Sequence, residues 1–208
     1  MESYADLMFT PRVRAEQDTV GMGQRYARTY EHRHRGPLDA DTRAFIETRN
    51  SFYMATVSET DWPYVQHRGG PAGFLKVLGP ERIGFADYPG NKQFISKGNL
   101  GASDRVALIL MDYPRRARLK LLGHATVMRA ADDAELAAQL ATEGAAVPER
   151  LVTIDLAAMD WNCPKYITPR LTEAEIDAAL GPRIKEMADR IEALEARLDR
   201  AEPGWRSS

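Results

Sequence analysis

Short apolar segments separated by Gly, Pro and Asp fill the chain from about residue 51, whereas the first 50 residues are charged and spaced like helices. The segments are rich in β-branched, aromatic and aliphatic residues, which is typical of strands. Seven of them occur, namely FYMATVS, PYVQHR, FLKVLG, RIGFAD, RVALILMDY, RARLKLLGHATVM and RLVTIDLAAM. So many short strands in about 110 residues predict a mostly antiparallel barrel or sandwich.

Two stretches between these strands, NKQFISKGNLGAS and ADDAELAAQLATEGAA, predict short helices. The stretch Asp39-Ala40-Asp41-Thr42 predicts an N-terminal cap before an earlier helix that carries Phe45 and Ile46 on one side. The order is then helix, four strands, helix, two strands, helix and strand, which differs from the alternation of a parallel α/β sheet. We therefore predict a mainly β fold, a six- to seven-stranded antiparallel barrel with flanking helices.

The C-terminal part of the chain has a different spacing. After Gly181-Pro182, apolar residues recur alternately every three and four positions, at Ile184, Met187, Ile191, Leu194 and Leu198. This seam predicts a helix from about Pro182 to Ala201. A helix of this length is marginal alone in water, so it needs a partner surface. That surface is either its own domain or a second subunit, and symmetry favours the second subunit.

The chain is thereby divided into an N-terminal helical segment (1–50), a barrel domain (51–170) and a C-terminal helical extension (171–208). A formal net charge of −2 gives no basic field that would attract nucleic acid or an anionic membrane. No run of eighteen apolar residues occurs, and the N-terminus lacks the apolar region of a signal peptide. We expect a cytoplasmic protein, and the single cysteine, Cys163, agrees with a reducing compartment.

A glycine-rich corner, Arg68-Gly69-Gly70-Pro71-Ala72-Gly73, separates two of the predicted strands. An ordinary hairpin needs only one Gly pair, so the extra glycines indicate backbone that comes close to another group. Turns of this kind bind anions or the polar edge of a planar ligand. On this stretch alone, an irregular loop with a purely structural role is an equal alternative.

The run from Phe52 to Met128 resembles the flavin-binding split barrel of the pyridoxamine 5′-phosphate oxidase-like superfamily, with GGPAGFLKVLG, IGFADYPGNKQFISKGNL and RLKLLGHATVM in the family's order. WNCPKYITPR at 161–170 resembles the tail of one of its uncharacterised branches. The resemblance implies a homodimer with two identical clefts, each holding FMN between the barrels. The glycine corner and the following strand would then lie along the flavin.

The resemblance also implies individual roles. Lys92 matches the phosphate-binding lysine, and Arg68 is a second cation near the glycine corner. Asn91 stands where the vitamin B6 oxidases have an arginine, which puts one phosphate contact in doubt. Arg118 takes the place of a glutamine that reaches the flavin from the other subunit. The full set of implied cofactor-binding residues is Arg68, Gly73, Phe74, Leu75, Lys76, Phe85, Ala86, Asn91, Lys92 and Arg118.

An FMN-dependent oxidoreductase is the activity that this resemblance implies, and no side chain has to act as a nucleophile because the cofactor carries the chemistry. The catalytic residues and the substrate stay unassigned. Vitamin B6 oxidation is not expected, because WNCPKYITPRLTEAEI replaces the arginine and tryptophan pattern of true pyridoxamine-phosphate oxidases. The alternatives are an F420-dependent reductase, a non-enzymatic flavin- or haem-binding protein, and an assembly protein with an empty barrel.

Other reactive side chains are given structural roles. His32 and His34 are two residues apart and have no acidic or Cys partner nearby, so we expect no metal site. His67 and His124 lie in predicted strands. We expect each to be a hydrogen-bonded residue of the barrel, and the alternative is that either lines the cleft. Cys163 has no Cys-His-acid set around it in sequence, which favours a buried or incidental thiol.

Overall fold

The computed structural model describes residues 1–31, 33 and 35–201, so His32 and His34 lie outside the described residues. The strands are β1 (Glu2–Ser3), β2 (Ser51–Val57), β3 (Pro63–Gly69), β4 (Lys76–Gly79), β5 (Arg82–Asp87), β6 (Arg105–Asp112), β7 (Ala117–Arg129) and β8 (Arg150–Asn162). The helices are α1 (Tyr4–Met8), α2 (Pro11–Thr19), α3 (Gly23–Tyr30), α4 (Ala40–Glu47), α5 (Ile95–Ala102), α6 (Ala134–Leu140) and α7 (Glu173–Ala201).

The strands form one sheet in the order β3-β2-β6-β7-β8-β5-β4, and every neighbouring pair along this path is antiparallel. The two-residue strand β1 adds to β8 in parallel, a pairing that the sequence did not indicate. All seven strands and both internal helices predicted from the sequence are present in the predicted order. The mainly β, antiparallel fold with flanking helices is therefore confirmed.

Aromatic rings and branched aliphatic side chains fill the inner face of the sheet. In β2 and β6 alternate side chains are buried, as expected for strands with one face on a core. Phe52 stacks on Phe74 at a centroid distance of 5.7 Å and meets Phe85 edge-on at 5.4 Å. These three rings close the core directly behind the glycine corner, so the corner is built on a rigid base.

Helix α4 shows how the N-terminal segment joins the barrel. Asp39 caps the helix, because its carboxylate accepts the Thr42 N–H at 2.7 Å. Ile46 is fully buried, and Phe45 meets the Trp161 ring of β8 edge-on at 4.6 Å. The predicted cap and the predicted apolar side of this helix are confirmed.

The contacts divide the chain into two units, Met1–Asp112 with Arg116–Ile167, and Tyr113–Arg115 with the chain from Thr168 onward. The first unit holds the N-terminal helices and the whole sheet, and α7 belongs to the second. The domain boundaries expected at residues 50 and 170 stay predictions. None of the helices in the described part of the chain is long and apolar enough to cross a membrane.

The prediction that the C-terminal helix starts near Pro182 was wrong, because α7 begins at Glu173 and contains this proline. Thr172 and Glu175 form a capping box at its start. The Glu175 N–H donates to Thr172 Oγ1 at 3.3 Å, and the Thr172 N–H donates to Glu175 Oε2 at 2.8 Å. A proline removes one backbone hydrogen bond from a helix, and here the helix continues through it.

Candidate functional site

The segment that enters α5 has unusual backbone geometry. Lys92 and Phe94 both adopt left-handed conformations, with φ angles of 58° and 54°. Each non-glycine residue held in the left-handed conformation raises the free energy of the folded state by roughly 1–3 kcal/mol. Such residues tend to cluster at functional sites. Phe94 is the N-cap of α5, and no side chain caps the helix. The first N–H groups of α5 therefore have no side-chain acceptor and favour a negative charge in front of them.

Two side-chain hydrogen bonds hold α5 against the sheet. Ser96 Oγ donates to Gln66 Oε1 on β3 at 2.7 Å, and Asn99 Nδ2 donates to Thr56 Oγ1 on β2 at 2.9 Å. Ser96, Asn99 and Thr56 are all buried, so water competes little for these bonds. The start of the helix is thus fixed beside the middle of β3.

A cleft of about 260 Å³ opens in front of this helix start, and we call it the basic cleft. Its lining includes four cationic side chains and the carboxylate of Asp87, and the cations are Arg68, Lys92, Lys97 and Arg150. An excess of positive charge next to free helix N–H groups is the physical requirement for binding a phosphate or carboxylate. Asn91, which also lines this cleft, accepts the Gln93 N–H through its side-chain oxygen at 3.2 Å.

Asp87 holds two of these cations in place. Arg68 Nη1 lies 2.8 Å from Asp87 Oδ1, and Arg150 Nε lies 2.8 Å from Asp87 Oδ2. Burial lowers the pKa of Arg150, but the hydrogen bonds and charges of Asp87 and Glu149 together raise it above its ordinary value. Arg68 Nε is buried and has no hydrogen-bond partner within the described residues. The Arg68 guanidinium is therefore oriented, with one donor left for a ligand.

A second cleft of about 320 Å³, the glycine-corner cleft, adjoins the basic cleft, since Arg68, Asp87 and Tyr88 line both. Its walls combine corner backbone with apolar rings, namely Gly69, Gly70, Pro71, Phe74, Phe85 and Ala86. Thr142 lies at its edge, where its N–H donates to the Tyr88 hydroxyl at 2.9 Å while its buried Oγ1 has no partner in the described chain. A flat, partly polar ligand suits such walls.

The glycines of the corner serve the packing of the chain itself. A Cβ added to Gly70 would lie 2.7 Å from Cγ of Phe74, and Gly73 has a φ of +86°, which other residues rarely adopt. The Gly70 N–H donates to Asn50 O and the Phe74 N–H to Pro71 O. Both amides therefore form hydrogen bonds within the fold. They are not available to a ligand, which would contact the surface of the corner instead.

Most of the remaining implied cofactor residues are buried. Phe74, Phe85 and Ala86 are buried behind the glycine-corner cleft, and Leu75 is completely buried in the core. Lys76, the first residue of β4, is half-buried and lines neither cleft, and Gly73 lies at the turn before it. The structure therefore brings six of the ten implied residues to the two clefts, namely Arg68, Phe74, Phe85, Ala86, Asn91 and Lys92.

Arg118 lies on β7 outside both clefts, on the outer face of the sheet. It pairs in register with Met111 of β6 and Asn162 of β8. Arg118 Nε and Asn162 Oδ1 are both buried, and neither has a hydrogen-bond partner among the described residues. Two unpaired polar atoms on neighbouring strands indicate that another group completes this part of the surface.

The outer face of β3, β2 and β6 is apolar. Tyr53 lies between Ile109 and His67 across three strands, and Ala55 lies between Ala107 and Val65 in the next row. Four large apolar side chains here are 39–61 % exposed, namely Tyr53, Val57, Val65 and Ile109. A contiguous exposed apolar surface of this kind is typical of an interaction face.

The chain matches the model of one protein family over residues 38–161, which is more than half of its length. The match begins just before the Asp39 cap and ends in β8, so it contains both clefts and the outer face. The chain belongs to the pyridoxamine 5′-phosphate oxidase family. The resemblance seen in the sequence is thereby confirmed, and this family includes flavin-binding oxidoreductases.

Among solved structures, the chain is similar to HupZ of Group A Streptococcus, with 12% identity over 64% of this chain and 99% of that chain and a TM-score of 0.48. It is also similar to a protein of the pyridoxinephosphate oxidase family from Clostridium acetobutylicum that is related to general stress protein 26, with 12% identity, 59% and 85% coverage and a TM-score of 0.44. An F420 reductase shows 17% identity, 59% and 98% coverage and a TM-score of 0.42. None of these likenesses decides what this family member binds. No curated protein sequence matches the chain significantly.

The histidines and the cysteine have different surroundings in this family member. His67 lines the glycine-corner cleft and meets the Tyr53 ring edge-on at 5.5 Å. His124 lines neither cleft, and its Nδ1 lies 3.0 Å from Asp104 Oδ1 at an exposed position. Cys163 is exposed, just after β8 ends at Asn162, so of the two expected alternatives the buried thiol is excluded and the incidental thiol stays a prediction.

Sequence reasoning missed Asp87 and Arg150, the pair that orients Arg68. They are 63 residues apart in the chain and become neighbours because β5 and β8 pair in register, with Asp87 opposite Arg150. Both residues stand at an end of an apolar strand, and a charge at such a position is only a weak signal of a functional site. Only knowledge of the strand pairing could have joined them.

Proposed function

We propose that this family member is a homodimeric FMN-binding oxidoreductase, with the FMN phosphate in the basic cleft. One observation carries the proposal: the uncapped start of the eight-residue helix α5 lies at a cleft that also holds Arg68, Lys92 and Arg150. Helix N–H groups and fixed cations together favour a dianionic phosphate. A cytoplasmic location is part of the same proposal.

The two adjoining clefts fit the two ends of FMN. The phosphate would contact Lys92 and the α5 start, and the ring would lie beside the apolar walls of the glycine-corner cleft. Arg68 Nε and Thr142 Oγ1, which have no partners in the described chain, offer a donor and a hydroxyl to the ligand. Bound FMN would supply hydride or single-electron transfer. The protein residues orient the ligand, and His67 is one of the side chains that line the glycine-corner cleft.

The outer face of β3, β2 and β6 supports the homodimer. An isologous interface needs a self-complementary patch, and the Tyr53, Ile109 and Val65 surface is large, apolar and exposed. Arg118 lies on the adjoining strand β7, opposite Met111 of β6, and its Nε has no partner among the described residues, so a second copy on this face would bring groups of its partner near Arg118. Contact with the partner's flavin is the role that we propose for it.

Replacement of Lys92 with alanine tests the phosphate site. We expect FMN to bind about 10–150-fold more weakly, which corresponds to about 1.5–3 kcal/mol for a charge-assisted hydrogen bond. Riboflavin has no phosphate, so its affinity should hardly change. Fluorescence titration of both ligands measures the difference, with Arg35→Ala, which removes an exposed ion pair with Asp6 in the N-terminal segment, as the control.

If the Lys92 variant lost FMN and riboflavin equally, the lysine would not bind the phosphate. If the unaltered protein bound neither ligand, the proposed cofactor would be wrong. The absorption spectrum and mass of the small molecule that copurifies with the protein distinguish FMN from F420 and haem.

Replacement of Ile109 with aspartate tests the dimer face. Two carboxylates would enter an apolar interface, which should raise the dimer dissociation constant roughly 5–150-fold. Because Arg118 reaches the flavin only in the dimer, FMN should be released in step with the monomer fraction. Sedimentation velocity with detection at flavin and protein wavelengths measures both. Val20→Asp, at an exposed apolar position after α2, is the matched control, and a monomer that keeps full FMN affinity would contradict the proposal.

A further inference from the structure

Helix α7 carries a continuous apolar seam along one side. None of its residues is buried, and Leu180, Ile184, Met187, Ile191 and Leu194 are 50–63 % exposed. These residues lie at alternate spacings of four and three, which places them on one face of a helix. A helix with an exposed seam of this kind gains stability only when a partner covers the seam.

The identities at the seam favour a pair of helices. In the heptad frame, Ile184, Ile191 and Leu198 occupy the a positions, and Leu180, Met187 and Leu194 occupy the d positions. Branched Ile at a with Leu at d is the combination that favours two-stranded parallel coiled coils. Pro182 falls at an f position, on the side away from such a partner, so the seam that follows it is uninterrupted.

The charges beside the seam favour a parallel orientation. The g positions are all arginine, namely Arg183, Arg190 and Arg197, and Glu195 is at an e position. In a parallel pair, each g residue meets the e residue of the next heptad on the other helix, so Arg190 meets Glu195 of the second copy. An antiparallel pair would bring g positions together and place arginine against arginine.

We propose that α7 pairs in parallel with α7 of a second copy of this chain and forms a short two-stranded coiled coil. The seam is self-complementary in this orientation, because both Arg190–Glu195 pairs form by the same twofold symmetry. A seam from Leu180 to Leu198 is short, so the pairing depends on the two copies being held together elsewhere, which raises their effective concentration. The proposal does not rest on the identity of the cofactor.

Cysteine cross-linking of the full chain tests the pairing and its direction. Leu194→Cys, made together with Cys163→Ser, places identical d-position thiols side by side only in a parallel pair. Under mild oxidation, most of this variant should become a disulfide-linked dimer. Ala196→Cys in the same background is the control, because position 196 lies on the outer side of the pair and should cross-link little.

The charge pair is tested in the same cross-linking background. Arg190→Glu should slow formation of the Leu194→Cys disulfide, and adding Glu195→Arg should restore the rate. The two positions are five residues apart, so they do not face each other within one helix. Recovery in the double variant would therefore show contact between two copies.

Three results would overturn the proposal. The first is equal cross-linking of the Leu194→Cys and Ala196→Cys variants, and the second is no cross-linking of either variant while circular dichroism shows an intact fold. The third is a mixture of Leu180→Cys chains and Leu198→Cys chains that cross-link only to each other, which would show antiparallel pairing.

Discussion

Replacement of Asp160 with alanine is expected to lower the free energy of unfolding by about 3–5 kcal/mol, the cost of breaking a buried charge cluster. Asp160 is 2% exposed and lies on β8. Its Oδ1 accepts from the Tyr30 hydroxyl at 3.2 Å and lies 3.4 Å from Arg33 Nη2, while its Oδ2 lies 3.4 Å from Lys120 Nζ. Removing the carboxylate leaves three donors around an empty buried position.

The Asp160 cluster joins the N-terminal helices to the sheet. Burial and the negative charge of Asp160 raise the pKa of Tyr30 to about 12, so the hydroxyl stays protonated and donates throughout the neutral range. Tyr30 ends α3, and Lys120 lies on β7 and packs over the Tyr4 ring. Loss of Asp160 should therefore loosen α1 and α3 before the barrel itself unfolds.

Urea denaturation measures this loss, and Asp160→Asn should give a smaller effect because the amide oxygen can still accept from Tyr30. Asp104→Ala is the matched control. Asp104 pairs with His124, and both side chains are more than half exposed, so the control should lose less than about 1 kcal/mol. An Asp160→Ala variant as stable as this control would show that the buried cluster contributes nothing to folding.

The strands could be predicted because each carries its signal locally. β2 and β6 alternate buried and exposed side chains, and Gly, Pro or Asp interrupts the chain between strands. The Asp39 cap is equally local, since the side chain bonds an amide three residues away. The capping box of α7, Thr172 with Glu175, is also local, but the proline at 182 is a stronger boundary signal in the sequence, so the start predicted there is too late.

The charge clusters could not be predicted, because their members come from distant strands. Asp87 meets Arg68 and Arg150, and Asp160 meets Tyr30, only after the sheet has brought β5, β8 and the N-terminal helices together. The glycine corner shows a different limit. Its composition suggested a ligand, yet Gly70 and Gly73 are each required by the packing or the backbone of the corner itself. Composition alone does not separate these two causes.

Replacement of Arg68 with alanine is expected to weaken FMN binding more than the Lys92 substitution does. The lost charged hydrogen bond alone should lower the binding free energy by about 1.5–3 kcal/mol relative to the unaltered protein. A second effect adds to this loss. The Asp87 carboxylate forms ion pairs with both Arg68 and Arg150. Without Arg68, only Arg150 balances its negative charge, which lies where the two clefts meet. A phosphate nearby would then be repelled by an exposed negative charge.

The double variant Arg68→Ala, Asp87→Ala separates the two effects. It lacks the same cation but also lacks the repelling carboxylate, so it should bind FMN more tightly than Arg68→Ala alone. Fluorescence titration at low ionic strength measures the difference, and the gap between the two variants should narrow as salt screens the charge. Arg82→Ala is the control: Arg82 lies at the other end of β5 from Asp87 and forms an exposed pair with Asp155 of β8, so its loss should leave FMN affinity unchanged. Weaker FMN binding by the double variant than by Arg68→Ala would show that the hold of Asp87 on Arg150 matters more than its repulsion of the phosphate, and the repulsion argued for Arg68→Ala would be wrong.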